Sequence, residues 1–190
     1  MTVVLRNPEL SAFASGIPLL GALSIARAIN TMFGIQSLVK WPNDVVIGSD
    51  KVGGILAESR FEGNEYAFSL LGIGVNVNFQ PSLIRYANQK STTILSELKH
   101  QVDINTLASA TLKEIENLFG LVAQNQITRI LQLLRAADYS CGRRVKVTIP
   151  AHTVEGIFHN YRSLTEAEID VDGEYVIIET GTAIAVEYTD

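Results

Sequence analysis

"LVKWPNDVVIGSDKVGGILAESRFEGNEYAFSLLGIGVNVNF", residues 38–79, decides how this chain folds. With Ser37 just before it, it is a succession of short β-rich runs, "SLVKW", "VVIG", "GGILAESRF" and "YAFSLLGIGVNVNF", divided by the turn formers "PND", "GSDK" and "EGNE". Strands joined by turns this short pair in an antiparallel or mixed sheet and do not suggest a βαβ series. The same stretch carries two lysines, Lys40 and Lys51, around a polar knot of Trp41, Asn43 and Asp44. Apolar strands have little structural need for that much charge in one place.

On the N-terminal side, residues 16–33 repeat Leu19, Leu20, Leu23, Ala26, Ile29 and Phe33 near a period of 3.6, with Pro18 in a first turn and Gly34 past the end. This predicts a largely buried helix. "TVVL" begins at the second residue with strand character and no preceding turn, which suggests that something upstream is lost or is supplied by another molecule. On the C-terminal side, Asp103 is a plausible N-cap for a helix with Leu107, Ala110, Leu112, Ile115, Leu118 and Phe119 on one side, and "ITRILQLLRAADY" continues the helical pattern to about Tyr139. Two helices on one face of a sheet give an α+β core. Past Cys141 come five short strands in "RRVKVTI", "VEGIFHNY", "AEIDV", "EYVIIET" and "AIAVEY", the pattern of a small β-barrel. The expected division is therefore a core over residues 1–140 and a barrel over 141–190.

Composition narrows the function classes. Fifteen basic against 20 acidic residues leave a net charge of -5, and no run of like charges offers a footprint for duplex nucleic acid. A single cysteine, Cys141, excludes an internal disulfide and a cysteine-built zinc site and is expected as a small, buried or half-buried thiol with no chemistry. No cationic leader precedes an apolar stretch, and no run reaches about 18 uninterrupted apolar residues. The expectation is a cytoplasmic protein with no membrane partner.

Lysine is a compact three-donor cation, so Lys40 and Lys51 converging on one pocket would clamp a phosphate or an acyl phosphate. Whether they converge depends on strand alternation. Asn43 and Asp44 could hold Mg²⁺ beside such a phosphate, or could equally be a self-bonded polar turn. Gly53 and Gly54, and Gly72 and Gly74, lie inside apolar strands, where glycine marks a bulge, close packing or a ligand approaching the backbone. Asn76 and Asn78 share a face and need partners if buried. His100, His152 and His159 have no metal-ligand spacing.

Taken in order, "KWPNDV", "KVGGILAE" and "LLGIGVNVNF" resemble the catalytic core of biotin protein ligases, a class II synthetase-like fold. "TVVLR" is similar to the strand before that family's long helix, "STTILSEL" to the segment after its glycine strand, and residues 142–190 to its C-terminal SH3-like barrel. The resemblance implies ATP-dependent activation of biotin to biotinyl-5'-AMP, with Mg²⁺, and transfer to a lysine of a biotin carboxyl carrier protein such as that of acetyl-CoA carboxylase. It implies Lys51 as the catalytic residue on the biotin carboxylate and adenylate phosphate, and Gly53, Gly54, Ile55, Gly72, Gly74 and Asn76 around biotin and the adenylate. Lys40, Trp41, Asn43, Asp44 and Asn76 would face ATP, with Asn43 and Asp44 nearest the metal.

The family's upstream Gly-Arg-Gly-Arg-type loop is not in this sequence. The expectations that follow are a truncated chain, a split enzyme whose second chain or homodimer partner supplies the loop, or a non-catalytic binding module. On any of them the chain alone would bind biotin weakly and adenylate it poorly. A lipoate or octanoate ligase of the same superfamily is the enzymatic alternative. Repressor activity is not expected, because no winged helix precedes the core.

Overall fold

The computed structural model describes residues 1–83 and 90–189. Five strands, β1 (Thr2–Leu5), β2 (Ser37–Lys40), β3 (Asp44–Ile47), β4 (Asp50–Glu62) and β5 (Glu65–Val75), form one sheet in the order β1-β5-β4-β3-β2. Every pairing in it is antiparallel, as the short turns require. The helix α1 (Ile17–Phe33) lies across this sheet and buries Leu19, Leu20, Leu23, Ala26 and Ile29, with Phe33 half-buried at its end. Gly21 is what lets it sit so low. A Cβ there would be 3.1 Å from both the Ile55 and Leu71 side chains of β4 and β5.

The stretch Pro8–Phe33 is long and apolar enough to cross a bilayer by length and composition, but 67% of its most apolar window is buried inside the protein. A short α2 (Ile94–Leu98) is capped by Thr93, whose side chain accepts from the Ser96 N–H. α3 (Ile104–Ala123) is capped by Asp103 as expected and packs chiefly on α1 rather than directly on the sheet. Its buried positions are Leu107, Thr111, Ile115, Leu118, Phe119 and Val122. Leu112, expected on that side, is 42% exposed, because Thr111 takes the inward position and returns its hydroxyl to the Leu107 carbonyl. The helical pattern does not run unbroken to Tyr139 either. It stops at Asn125, whose φ is +55°, and restarts as α4 (Ile127–Ala136).

A second antiparallel sheet follows: β6 (Arg144–Thr148), β7 (Thr153–Tyr161), β8 (Glu166–Val171), β9 (Glu174–Glu179) and β10 (Ala185–Tyr188), in the order β10-β6-β7-β8-β9. All five expected strands are present. Among the described residues no pairing joins β10 to β9, so the five strands of the expected small barrel form an open sheet. The two sheets meet at the strand β2 and the turn after it. Val39 donates to the Ala137 carbonyl (2.7 Å) and accepts from the Tyr139 N–H (2.9 Å), which covers the outer edge of the first sheet.

Candidate functional site

Lys51 and Gly54 are three residues apart and would face opposite sides of a regular strand. They do not, because β4 bulges against β3: Val45 is opposite Gly53 while Val46 is opposite Lys51, leaving Val52 as the extra residue. The bulge turns the Lys51 side chain back over Gly54. A Cβ on Gly54 would lie 3.1 Å from Lys51 Cε, 3.2 Å from its Nζ and 3.0 Å from Asp44 Oδ1. The absence of that Cβ is therefore filled by an ion pair, Lys51 Nζ to Asp44 Oδ1 at 2.5 Å.

The pair stands in a cavity of about 540 Å³. Its floor is strand backbone, with Gly53 and Gly54 of β4 beside Val75 and Gly74 of β5, and Gly72 opposite Leu56. Gly53 and Gly72 reflect close strand packing, since added methyls would meet the Gly74 carbonyl at 2.9 Å and the Leu56 carbonyl at 3.3 Å. Gly74 has ordinary room. Gly74, beside Gly54, leaves backbone that a flat ligand can approach closely.

The backbone around Lys51 is held from both sides. Its N–H donates to the Lys90 carbonyl (3.0 Å), and its carbonyl accepts from the Thr92 N–H (2.9 Å). The Asn76 amide donates to the carbonyls of Lys51 (3.3 Å) and Thr92 (3.1 Å), so this residue ties β4, the end of β5 and segment 90–92 together. Asn43 does the same across β3: its amide donates to the Ile55 carbonyl (2.7 Å) and its own carbonyl accepts from the Ile55 N–H (2.9 Å). Asn78, on the face of Asn76, pairs with Val102 through both its amide groups. The polar residues flagged in the sequence are satisfied, and most of their bonds fix backbone.

Of the eleven expected site residues, Asn43, Asp44, Lys51, Gly53, Gly54, Ile55, Gly72, Gly74 and Asn76 line this one cavity. Leu56, Val75 and Ser91 line it too and were not singled out. Ser91 was legible only as part of "STTILSEL", and Leu56, 65% exposed beside the glycine floor, only as the residue after Ile55.

Lys40 and Trp41 go elsewhere. Trp41 is 1% exposed, tilts against Phe158 with ring centroids 5.6 Å apart, and donates its Nε1–H to Thr180 Oγ1. Its indole is core at the junction of the two sheets and is not available to a nucleotide. Lys40 Nζ lies 4.4 Å from the centroid of the Tyr188 ring and 5.8 Å from that of Tyr139. Burial among these rings lowers the pKa of Lys40, Asp44 opposes that shift, and Lys51 and Arg143 add to it. Lys40 is thus next to the cavity, across Asp44, and within electrostatic reach of Lys51.

Asn43 and Asp44, the expected magnesium residues, are both engaged by neighbours. Asp44 is bound to Lys51, the Asn43 amide is held by Ile55, and among the described residues no three His, Cys, Asp or Glu side chains gather around a point. Cys141, expected buried or half-buried, is exposed, and its thiol pKa is raised by partial desolvation and by Asp138, which disfavours the reactive thiolate.

Three kinds of comparison bear on this geometry. The profile of the Biotin/lipoate A/B protein ligase family matches residues 2–77. A biotin acetyl-CoA-carboxylase ligase of Mycobacterium tuberculosis is 28% identical over 174 residues, 86% of this chain and 62% of that protein. The bifunctional ligase/repressor BirA of Bacillus subtilis is 37% identical over 82 residues, 43% of this chain and 25% of the relative, and that of Escherichia coli 28% over 146 residues, 77% and 45%. The chain thus spans between a quarter and two thirds of the length of these curated relatives. Among solved structures, the apo biotin protein ligase of Aquifex aeolicus superposes with a TM-score of 0.85 at 21% identity, over 99% of this chain and 81% of that one. The same enzyme in complex with biotin and ATP gives 0.82 at 22% identity, over 99% and 77%. At these identities the structural likeness speaks for the fold.

Proposed function

We propose that this chain acts as a biotin protein ligase, whose cavity activates biotin with ATP and passes it to a lysine of a biotin carboxyl carrier protein, a reading supported by the match to the biotin/lipoate ligase family over residues 2–77 and by the ligase relatives. In the first step a biotin carboxylate oxygen bonds to the α-phosphorus of ATP, the bond from that phosphorus to the bridging oxygen breaks, and pyrophosphate leaves. In the second, the carrier lysine's neutral amine attacks the acyl carbon, AMP leaves with the bonding pair, and the amine loses a proton. Neither step needs a covalent bond to the enzyme. Both need charge neutralisation and alignment.

The observation that carries this reading is the Lys51 ammonium seated over the bare backbone of Gly54 at the side of a glycine-floored cavity. An ammonium has three donors, and Asp44 takes one. Two remain for the carboxylate and phosphate oxygens that come together in the adenylate. Asp44 acts as the orienting partner, and Asn43 and Asn76 keep the flanking backbones in register. The Lys51–Asp44 pair is neutral as a unit, so the nearby Lys40 supplies net positive charge for the nucleotide phosphates. No step is assigned to a metal held by this chain.

In the same reading, residues 1–140 form the catalytic body and 141–190 its companion, the protein is cytoplasmic, and a second chain adds further contacts to the ligand. The test is adenylate formation with biotin and ATP, followed by chromatography of the product. Biotinyl-5'-AMP that disappears in Lys51→Ala supports the assignment; an adenylate formed from lipoate and not from biotin contradicts it.

A further inference from the structure

Tyr188 of β10 touches the first sheet through both its hydroxyl and its ring. The hydroxyl donates to the Trp41 carbonyl at 2.9 Å, and the Trp41 N–H donates to Ser140 Oγ at 3.0 Å. The Ser140 and Tyr188 hydroxyl oxygens are 2.6 Å apart. Since the single Tyr188 proton goes to Trp41, Ser140 must donate to Tyr188, and the four groups close a ring of hydrogen bonds around the main chain of Trp41. Burial pushes the Tyr188 hydroxyl pKa up, which keeps it a donor throughout the physiological range. The ring of the same side chain meets the Lys40 ammonium at 4.4 Å, and the Tyr139 ring lies 5.8 Å away.

We propose that Tyr188 is a positioning residue, its hydroxyl fixing the Trp41 main chain and its ring face holding the Lys40 ammonium beside the cavity, so that the second sheet sets the cation that meets the phosphates of a nucleotide. This rests on the adenylate-forming reading above. Two observations favour a placed cation over an incidental contact. The rings of Tyr188 and Tyr139 both flank the Lys40 ammonium, and Arg143 stacks on that Tyr139 ring at 4.0 Å, adding a second cation to the same aromatic group. An ammonium over an aromatic face keeps its charge largely uncompensated, whereas one paired to a carboxylate does not. A phosphate arriving next to Asp44 therefore meets the Lys40 ammonium as well as that of Lys51.

The experiment uses the whole chain with inorganic pyrophosphate and biotin as separate probes in calorimetry, and KM for ATP and for biotin in adenylate formation. Tyr188→Leu removes ring and hydroxyl; Tyr188→Phe keeps the ring. The expected result is a loss of about tenfold in pyrophosphate affinity and a matching rise in KM for ATP for Tyr188→Leu, corresponding to about 1.4 kcal/mol of lost cation–ring contact. Tyr188→Phe should stay within about threefold, and biotin affinity should not move in either variant. Pentafluorophenylalanine introduced at Tyr188 keeps the shape while reversing the ring's charge distribution. It should behave like Leu, and it decides the matter even where Tyr188→Leu fails to fold. Pyrophosphate affinity that is unchanged in the fluorinated variant, absent in the wild type, or lost in step with biotin affinity overturns the proposal. If the wild type forms no adenylate but binds pyrophosphate in a ring-dependent way, the proposed function falls and the role of Tyr188 stands.

Discussion

Gly54 in β4 and Gly156 in β7 both interrupt a β-branched, apolar strand of an antiparallel sheet, yet they do opposite things. At Gly156 the missing Cβ is replaced by the neighbouring strand: a methyl there would lie within bonding-clash range of the Asp170 carbonyl, at 2.3 Å, and 2.8 Å from Ile169 Cγ2. At Gly54 it is replaced by the functional groups of a lysine and a carboxylate. The second sheet uses glycine to close strands together and fills its inner face with Phe158, Tyr161, Ala167 and Ile169. The first uses it to keep one patch of sheet bare and puts a cation on it. A glycine in a strand becomes evidence of a site only when what occupies its side-chain volume is chemistry rather than packing.

The contrast is broken most sharply at the cation. Lys51→Ala should lower the rate of biotinyl-adenylate formation by about 100- to 1000-fold, the size of effect seen when one preorganised charge-stabilising donor is lost. The thermal midpoint should change little, since the Lys51 side chain is 31% exposed. An unfolded Lys51→Ala would place this residue with the core instead.

The glycine pair comes next. Gly156→Ala should destabilise the fold by about 1–3 kcal/mol, read from denaturant midpoints, because backbone and Ile169 must both move. Gly54→Ala should leave stability nearly unchanged and weaken biotin binding several-fold in calorimetry, because its methyl displaces only the flexible end of Lys51 and Asp44. Equal destabilisation by the two changes would erase the distinction.

Smaller still is the seam between the sheets. Thr180→Val keeps the shape but leaves the buried Trp41 Nε1–H without its acceptor, which should cost about 1–3 kcal/mol of stability. Catalysis by the remaining folded protein should be unaffected.

The smallest expected effect is a pH slope. The Lys40 pKa is lowered in the fold, so between the folded value and the ordinary 10.5 the unfolded chain binds more protons and stability rises with pH. Lys40→Met should flatten that rise in alkaline denaturation series, and a slope steeper in the variant than in the wild type would reverse the sign assigned to Lys40.

Much of this was legible in residues 38–79. Turns of two or three residues left antiparallel pairing as the natural topology, and the 3.6-residue repeat of 16–33 located α1. Asp103 announced α3 because a carboxylate cap is a local device. The inward turn at Thr111 was not legible, since hydropathy favours Leu112 and only packing against α1 reveals the helix phase. Lys40 and Lys51 looked equivalent by spacing. A bulge at Val52 sends one into the cavity, and the rings of Tyr139 and Tyr188 hold the other beside it. Tyr188 is 147 residues from Trp41 in sequence, and no local pattern connects them.

The central claim is that the Lys51–Gly54 cavity makes biotinyl-adenylate. Biotin-dependent exchange of labelled pyrophosphate into ATP tests it most directly, because exchange requires the adenylate to form and reverse in the same site. The account predicts exchange that needs biotin, is not supported by lipoate, and falls at least about 100-fold in Lys51→Ala. Exchange that proceeds without biotin, or survives Lys51→Ala at the wild-type rate, would contradict it.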